Sequence, residues 1–238
     1  MNNKDASKKR ELKVISFLNE FPWDTSGVVI GGYAIAAYGK PRYSDDIDIV
    51  ISEESLDKVR QFLNKDGFIS EPGYKPNPNN YTGSVSRFVN GEVTLDLLVG
   101  SVRDREAQID IPESWISFNK RRIKLKTIES STKVKVSVAR PEAICALKLQ
   151  AGRDQDISDI FTIRKEIRYY DDIKKIFLEY KTGSLIKKLK VVQGKLKSNK
   201  IFCDTMSRLE IKQNIGKADW REFTDNIYRV ISEIVATP

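Results

Sequence analysis

The stretch Asp46-Ile47-Asp48-Ile49-Val50-Ile51, with Val28-Val29-Ile30-Gly31-Gly32 before it, decides the reading of this sequence. Alternating acid and isoleucine predicts a strand. Successive side chains point to opposite faces, so Asp46 and Asp48 share one face while Ile47 and Ile49 share the other. Two carboxylates placed in this way are hard oxygen donors suited to a divalent cation such as Mg²⁺ or Mn²⁺. A third acid belongs with them. Asp96 is the one charge inside the apolar run Val93-Thr94-Leu95-Asp96-Leu97-Leu98-Val99. An unpaired buried carboxylate is costly, and a bound metal offsets that cost. A neighbouring arginine is the alternative.

Elimination leads to the same place. The 238 residues contain no histidine and two lone cysteines, Cys145 and Cys203. Catalysis by a Ser-His-Asp triad, a Cys-His pair or a His general base is excluded, as is a His-ligated or CxxC zinc site. Carboxylates holding Mg²⁺ remain, and a pair of such ions suits in-line phosphoryl displacement. Gly31 and Gly32, lacking side chains, let backbone N–H groups at a helix start approach a triphosphate.

Outward from the acids, the pattern predicts an α/β (α+β) protein with a mixed sheet, flanking helices and a helical C-terminal region. A helix is expected over residues 10–21, with a strand at 28–30. Gly31-Gly32 breaks that strand before a helix over 33–38. Ser52 is placed as the cap of a helix over 53–64. Asn90-Gly91 joins the runs 84–89 and 92–99 as a hairpin. The runs 122–127 and 134–138 form a second antiparallel pair, with Arg121, Arg122, Lys124 and Lys126 as a basic strand face that either touches nucleic acid or guards a sheet edge. Pro141 opens a helix, and helical periodicity dominates from Asp156 onward. Domains are expected at 1–140, catalytic, and at 141–238, helical. Trp23, Trp115 and Trp220 are isolated in sequence and are expected to pack rather than stack on bases.

The net charge of +8 is concentrated. Lys174 to Lys200 holds nine lysines and one acid, Glu179, which leaves 32 basic and 32 acidic residues elsewhere. The segment reads as helix, and it is either a surface for a polyanion such as RNA or a solvated face. The polar N-terminus, the absence of a membrane-spanning apolar run and the two unpaired cysteines predict a cytoplasmic protein.

These residues together carry a family resemblance. Ile30-Gly31-Gly32, Asp46-Ile47-Asp48-Ile49 and Leu95-Asp96-Leu97 resemble the polymerase-β-type nucleotidyltransferase superfamily. Arg42-Tyr43-Ser44-Asp45-Asp46-Ile47-Asp48 resembles the Arg-x-Ser/Thr-x-Asp-x-Asp form of its stand-alone bacterial and archaeal members. Lys148 through Arg153, Asp156 and Asp159 is similar to a segment of the abortive-infection (AbiEii-like) toxin branch.

The resemblance implies transfer of NMP from an NTP to an acceptor hydroxyl with Mg²⁺ or Mn²⁺. Asp46, Asp48 and Asp96 are then the metal-binding catalytic residues, and Gly31, Gly32, Arg42, Ser44, Lys148 and Asp156 the nucleotide contacts. It further implies an RNA acceptor, with tRNA the natural case, and an antitoxin partner. On the residues alone, Lys148 either enters a site or snorkels, with Asp156 as a helix cap. Arg42 either meets phosphate or pairs with Asp45, and Ser44 either meets phosphate or shapes the turn. Two other readings stand beside this one. The first is an antibiotic-type nucleotidyltransferase acting on a small molecule. The second is a catalytically inactive nucleic-acid-binding relative.

Overall fold

The structure is a computed structural model that describes residues 3–39, 44–71, 84–104, 106–125 and 134–237. The chain forms two compact units. The first comprises Met1–Arg103 with Asp110–Arg140, and the second Asp104–Ile109 with Pro141–Pro238.

The first unit is built on a seven-stranded mixed sheet. Its strands are β1 (Val28–Ile30), β2 (Asp46–Ile51), β3 (Ile69–Ser70), β4 (Ser84–Asn90), β5 (Val93–Val99), β8 (Lys120–Leu125) and β9 (Val134–Ala139), in the order β3-β4-β5-β2-β1-β9-β8. β6 (Ser101–Asp104) and β7 (Ile109–Pro112) pair separately. β2 runs parallel to β5 and antiparallel to β1. Central placement explains the apolar content of β2: Ile47, Ile49, Val50 and Ile51 are all fully buried. Each such side chain contributes about 1.5–3 kcal/mol through burial. β8 is an edge strand, and exposed Arg121, Arg122 and Lys124 lie along it, as expected of an edge that resists further pairing. Lys126 lies outside the described residues.

Helices α1 (Asn3–Glu20) and α3 (Leu56–Lys65) meet through Phe17 and Phe62, whose rings are 5.8 Å apart. Val14, Ile15, Phe17 and Leu18 form the buried stripe of α1. Trp23 packs beside Phe21, and its indole N–H donates to the Leu18 carbonyl at 2.8 Å. A short helix, α4, spans Glu113–Phe118.

Several local expectations are corrected. β1 ends at Ile30 and the chain turns at Gly31 as expected, but α2 (Gly31–Tyr38) begins two residues before Tyr33. Ser52 does not cap α3. A 3-10 turn over Glu53–Ser55 intervenes, and the Ser52 hydroxyl meets that of Ser55 at 3.1 Å. The β4–β5 turn is centred one residue late. Asn90 pairs with Val93, leaving Gly91 and Glu92 at the turn. Gly91 has φ +59°, and Glu92 is not among the residues with positive φ. A two-residue hairpin with positive φ at its first position alone is a type II′ turn, which favours glycine there.

The second unit is helical: α5 (Pro141–Ala151), α6 (Asp154–Ile163), α7 (Tyr170–Glu179), α8 (Gly183–Leu196), α9 (Asn199–Leu209) and α10 (Gln213–Ala236). In α10 the buried Trp220, Phe223, Ile227, Val230, Ile231 and Ile234 recur at helical spacing. Thr182 caps α8 by accepting the Leu185 N–H at 3.0 Å. α9 and α10 approach so closely that a Cβ on Gly216 would sit 2.2 Å from the Met206 sulfur. The lysine-rich segment is not one helix, since it runs from α7 through α8 into α9. Among the described residues, no helix is long and apolar enough to cross a membrane.

Candidate active site

β2 and β5 place the three aspartates. Their parallel register sets Asp48 beside Asp96 and Asp46 beside Thr94. Aligned residues on neighbouring strands share a face, and Asp46 joins Asp48 on it by the two-residue period. Each acid offers a carboxylate oxygen within 4.8 Å of the others. Asp48 and Asp96 are buried, and Asp46 is partly so. Burial and the nearby Asp96 carboxylate raise the Asp46 pKa above its usual value, and Arg87 offsets this in part.

Arg87 is the residue that sequence reasoning missed. It lies opposite Asp96 across the β4–β5 ladder. Its Nε donates to Asp96 Oδ1 and its Nη2 to Oδ2, each at 2.7 Å. The guanidinium thus offsets the cost of burying Asp96. The signal was available: with Asn90 paired to Val93, counting three residues back along each strand brings Arg87 to Asp96. Three carboxylates and one guanidinium still leave a net negative, all-oxygen cluster. That donor set fits Mg²⁺ or Mn²⁺.

Gly31 is required by geometry. Its φ is +64°, and a Cβ there would fall 1.9 Å from Asp48 Oδ2. The start of α2 therefore lies directly against the Asp48 carboxylate. Gly32 is buried in the same first turn. Ser44 is buried just before β2. Arg42 lies outside the described residues. Asp45 is exposed and pairs with Arg10 of α1 at 3.1 Å.

Lys148 and Asp156 belong to the second unit. Lys148 is only 11% exposed and does not snorkel; its Nζ lies 2.9 Å from Asp156 Oδ1 and 3.0 Å from Asp159 Oδ2. Desolvation opposes the charge on Lys148, but the two carboxylates prevail and its pKa is raised. Asp156 is fully buried and also caps α6, accepting the Arg153 backbone N–H at 3.0 Å and its Nε at 2.8 Å. Burial pushes its pKa up, yet Lys148 and Arg153 hold it below the usual carboxylate range.

Five of the nine lysines in the lysine-rich segment have carboxylate partners. Lys174 pairs with Glu233, Lys175 with Asp172, Lys188 with Asp104 and Glu106, Lys195 with Asp154, and Lys200 with Asp204. Among the described residues, Lys181, Lys187, Lys190 and Lys197 of the segment have no carboxylate partner.

A mixed sheet with Asp-x-Asp on one strand, a third aspartate on its parallel neighbour and a Gly-Gly helix start against the acids defines a nucleotidyltransferase. The chain belongs to the AbiEii nucleotidyl transferase toxin family, of type IV toxin–antitoxin systems, whose sequence model matches residues 16–233. No curated protein matches the chain in sequence.

Several solved structures are similar in outline. A Thermotoga maritima protein assigned to the nucleotidyltransferases shares 17% identity at a TM-score of 0.44, covering 69% of this chain and 93% of its own. The lincosamide antibiotic adenylyltransferase LnuA, bound to lincomycin, shares 18% identity at 0.44, covering 66% and 98%. The antibiotic-resistance enzyme ANT(2″)-Ia, in complex with adenylyl-2″-tobramycin, shares 17% at 0.38, covering 85% and 98%. These likenesses are loose, and family membership rests on the sequence match.

Proposed function

We propose that this protein transfers NMP from an NTP to a hydroxyl of an RNA acceptor, with the catalytic chemistry in residues 1–140. The observation that supports this most strongly is the convergence of Asp46, Asp48 and Asp96 within 4.8 Å on adjacent parallel strands. Asp46 and Asp48 would hold two divalent cations, and Asp96 would share one of them. Bound Mg²⁺ or Mn²⁺ supplies charge neutralisation for the triphosphate and acidifies the acceptor hydroxyl.

The chain's own residues do the rest. The Gly31-Gly32 turn brings backbone N–H groups to the phosphates, with Arg42 and Ser44 as further contacts. Asp96, fixed by Arg87, orients the acceptor hydroxyl and receives its proton. The acceptor oxygen bonds to the α-phosphorus as the bond to the β-phosphate oxygen breaks, and pyrophosphate leaves. Asp156 is fully buried, so its role is to fix Lys148, and Lys148 is kept as the nucleotide contact that the family resemblance implies. An antitoxin protein is the partner expected from the family, and the cytoplasm is the expected compartment.

The test is incubation with each α-labelled NTP, Mg²⁺ and total cellular RNA. Label in RNA, with tRNA-sized bands foremost, is the expected result. Label confined to a small molecule would replace the RNA acceptor with the antibiotic-type reading. No NTP consumption with either Mg²⁺ or Mn²⁺ would establish an inactive binding relative.

A further inference from the structure

The second unit contains a groove of about 830 Å³ between the α8–α9 junction and α10. Its floor is aromatic. Phe202 of α9 and Trp220 of α10 lie 5.7 Å apart, and Trp220 continues inward to Phe161 and Phe223. Tyr228, two turns beyond Trp220, is 38% exposed at the groove. The Lys197 ammonium lies 4.7 Å from the Tyr228 ring centroid.

The rim of the groove is cationic. Lys197, Lys217 and Arg221 all line the groove and are exposed. Five of the nine lysines in the 174–200 segment pair with carboxylates, whereas among the described residues none of these three does. One acid, Asp225, lines the same groove. Three cations without carboxylate partners therefore lie beside an exposed aromatic ring. Asn199, Gln213 and Asn214 add exposed amides, which both donate and accept hydrogen bonds.

We propose that this groove binds an unpaired stretch of the RNA acceptor, an inference that rests on the RNA-acceptor reading above. One base stacks on Tyr228, the amides meet base edges, and Lys197, Lys217 and Arg221 take the flanking phosphates. Stacking faces combined with backbone cations are what single-stranded nucleic acid requires, and duplex RNA buries the base faces that the groove would use.

The test is fluorescence anisotropy of a labelled mixed-sequence ten-nucleotide single-stranded RNA with the full chain and no NTP. Duplex RNA of the same length serves as competitor. Tyr228→Ala should weaken binding roughly five- to hundred-fold without changing the salt dependence, and Tyr228→Phe should restore it. Lys217→Ala with Arg221→Ala should lower the slope of log affinity against log salt by about 1.4. Thermal unfolding of each variant checks the fold.

Wild-type affinity in both variants, failure of the wild-type chain to bind the strand, or preference for the duplex would overturn the inference. The labelled-NTP assay on the same proteins separates the two claims. Transfer to RNA with groove variants that bind normally leaves the reaction standing and removes the groove. Groove-dependent binding without any transfer does the reverse.

Discussion

Arg87 and Asp96 face each other across the β4–β5 ladder and share two parallel hydrogen bonds of 2.7 Å. The pair explains how a carboxylate remains buried in an apolar strand, and it fixes the orientation of the acid that adjoins Asp48. Asp96 is thus held by a guanidinium, with the carboxylates of Asp46 and Asp48 close by.

Replacing Arg87 with Ala leaves Asp96 buried without its bidentate partner. Loss of about 3 kcal/mol of stability is expected, the lower end for breaking a buried pair. A divalent cation should compensate. Mn²⁺ is expected to raise the melting temperature more in Arg87→Ala than in the wild type. Equal shifts in the two proteins would mean that guanidinium and cation do not act on the same carboxylate.

Gly31→Ala places a methyl group where Asp48 Oδ2 now lies, on a backbone with φ +64°. The left-handed conformation alone costs an L-residue about 1–2 kcal/mol. Displacement of Asp48 adds a loss of transfer activity greater than the stability loss explains. Transfer rate and thermal unfolding measured together check this. Activity falling only in proportion to folded protein would show that Gly31 serves the backbone and not the acid.

Lys148→Met removes the cation between two buried carboxylates, Asp156 and Asp159. A loss of about 3–5 kcal/mol is expected. The acid limb of the pH dependence should also weaken. In the wild type Asp156 has a depressed pKa, so its contribution is present above its unfolded value, about 3.9, and is lost as pH falls through the lower folded value. The raised Lys148 pKa gives stability that is present below about 10.4 and is lost as pH rises through the folded value. Without Lys148, Arg153 alone opposes burial at Asp156, so its pKa should move up toward the unfolded value and less stability should be lost on acidification. Urea unfolding from about pH 7 to about pH 3 decides it, and a variant that follows the wild-type profile would contradict the role given to Lys148.

Strand periodicity made the acidic trio legible. Asp46 and Asp48 had to share a face, and an aspartate inside an apolar strand had to find compensation. The source of part of that compensation, Arg87, emerges only when the hairpin register is read from Gly91 rather than Asn90. The lysine-rich segment misleads for the opposite reason. Its partners Asp104, Glu106, Asp154 and Glu233 are distant in sequence and meet it only through helix packing. The aromatic groove is equally invisible in sequence, since Phe202 and Tyr228 come from different helices.

Under the proposed function, Asp48 acts in transfer and not in folding. Asp48→Asn keeps the side-chain shape and removes one charge from a crowded acidic cluster, so its melting temperature should stay within a few degrees of wild type. Transfer of α-labelled NMP to RNA should fall roughly 10²- to 10³-fold or more, the scale on which loss of a transition-state electrostatic contact acts. Wild-type transfer by Asp48→Asn would contradict the account.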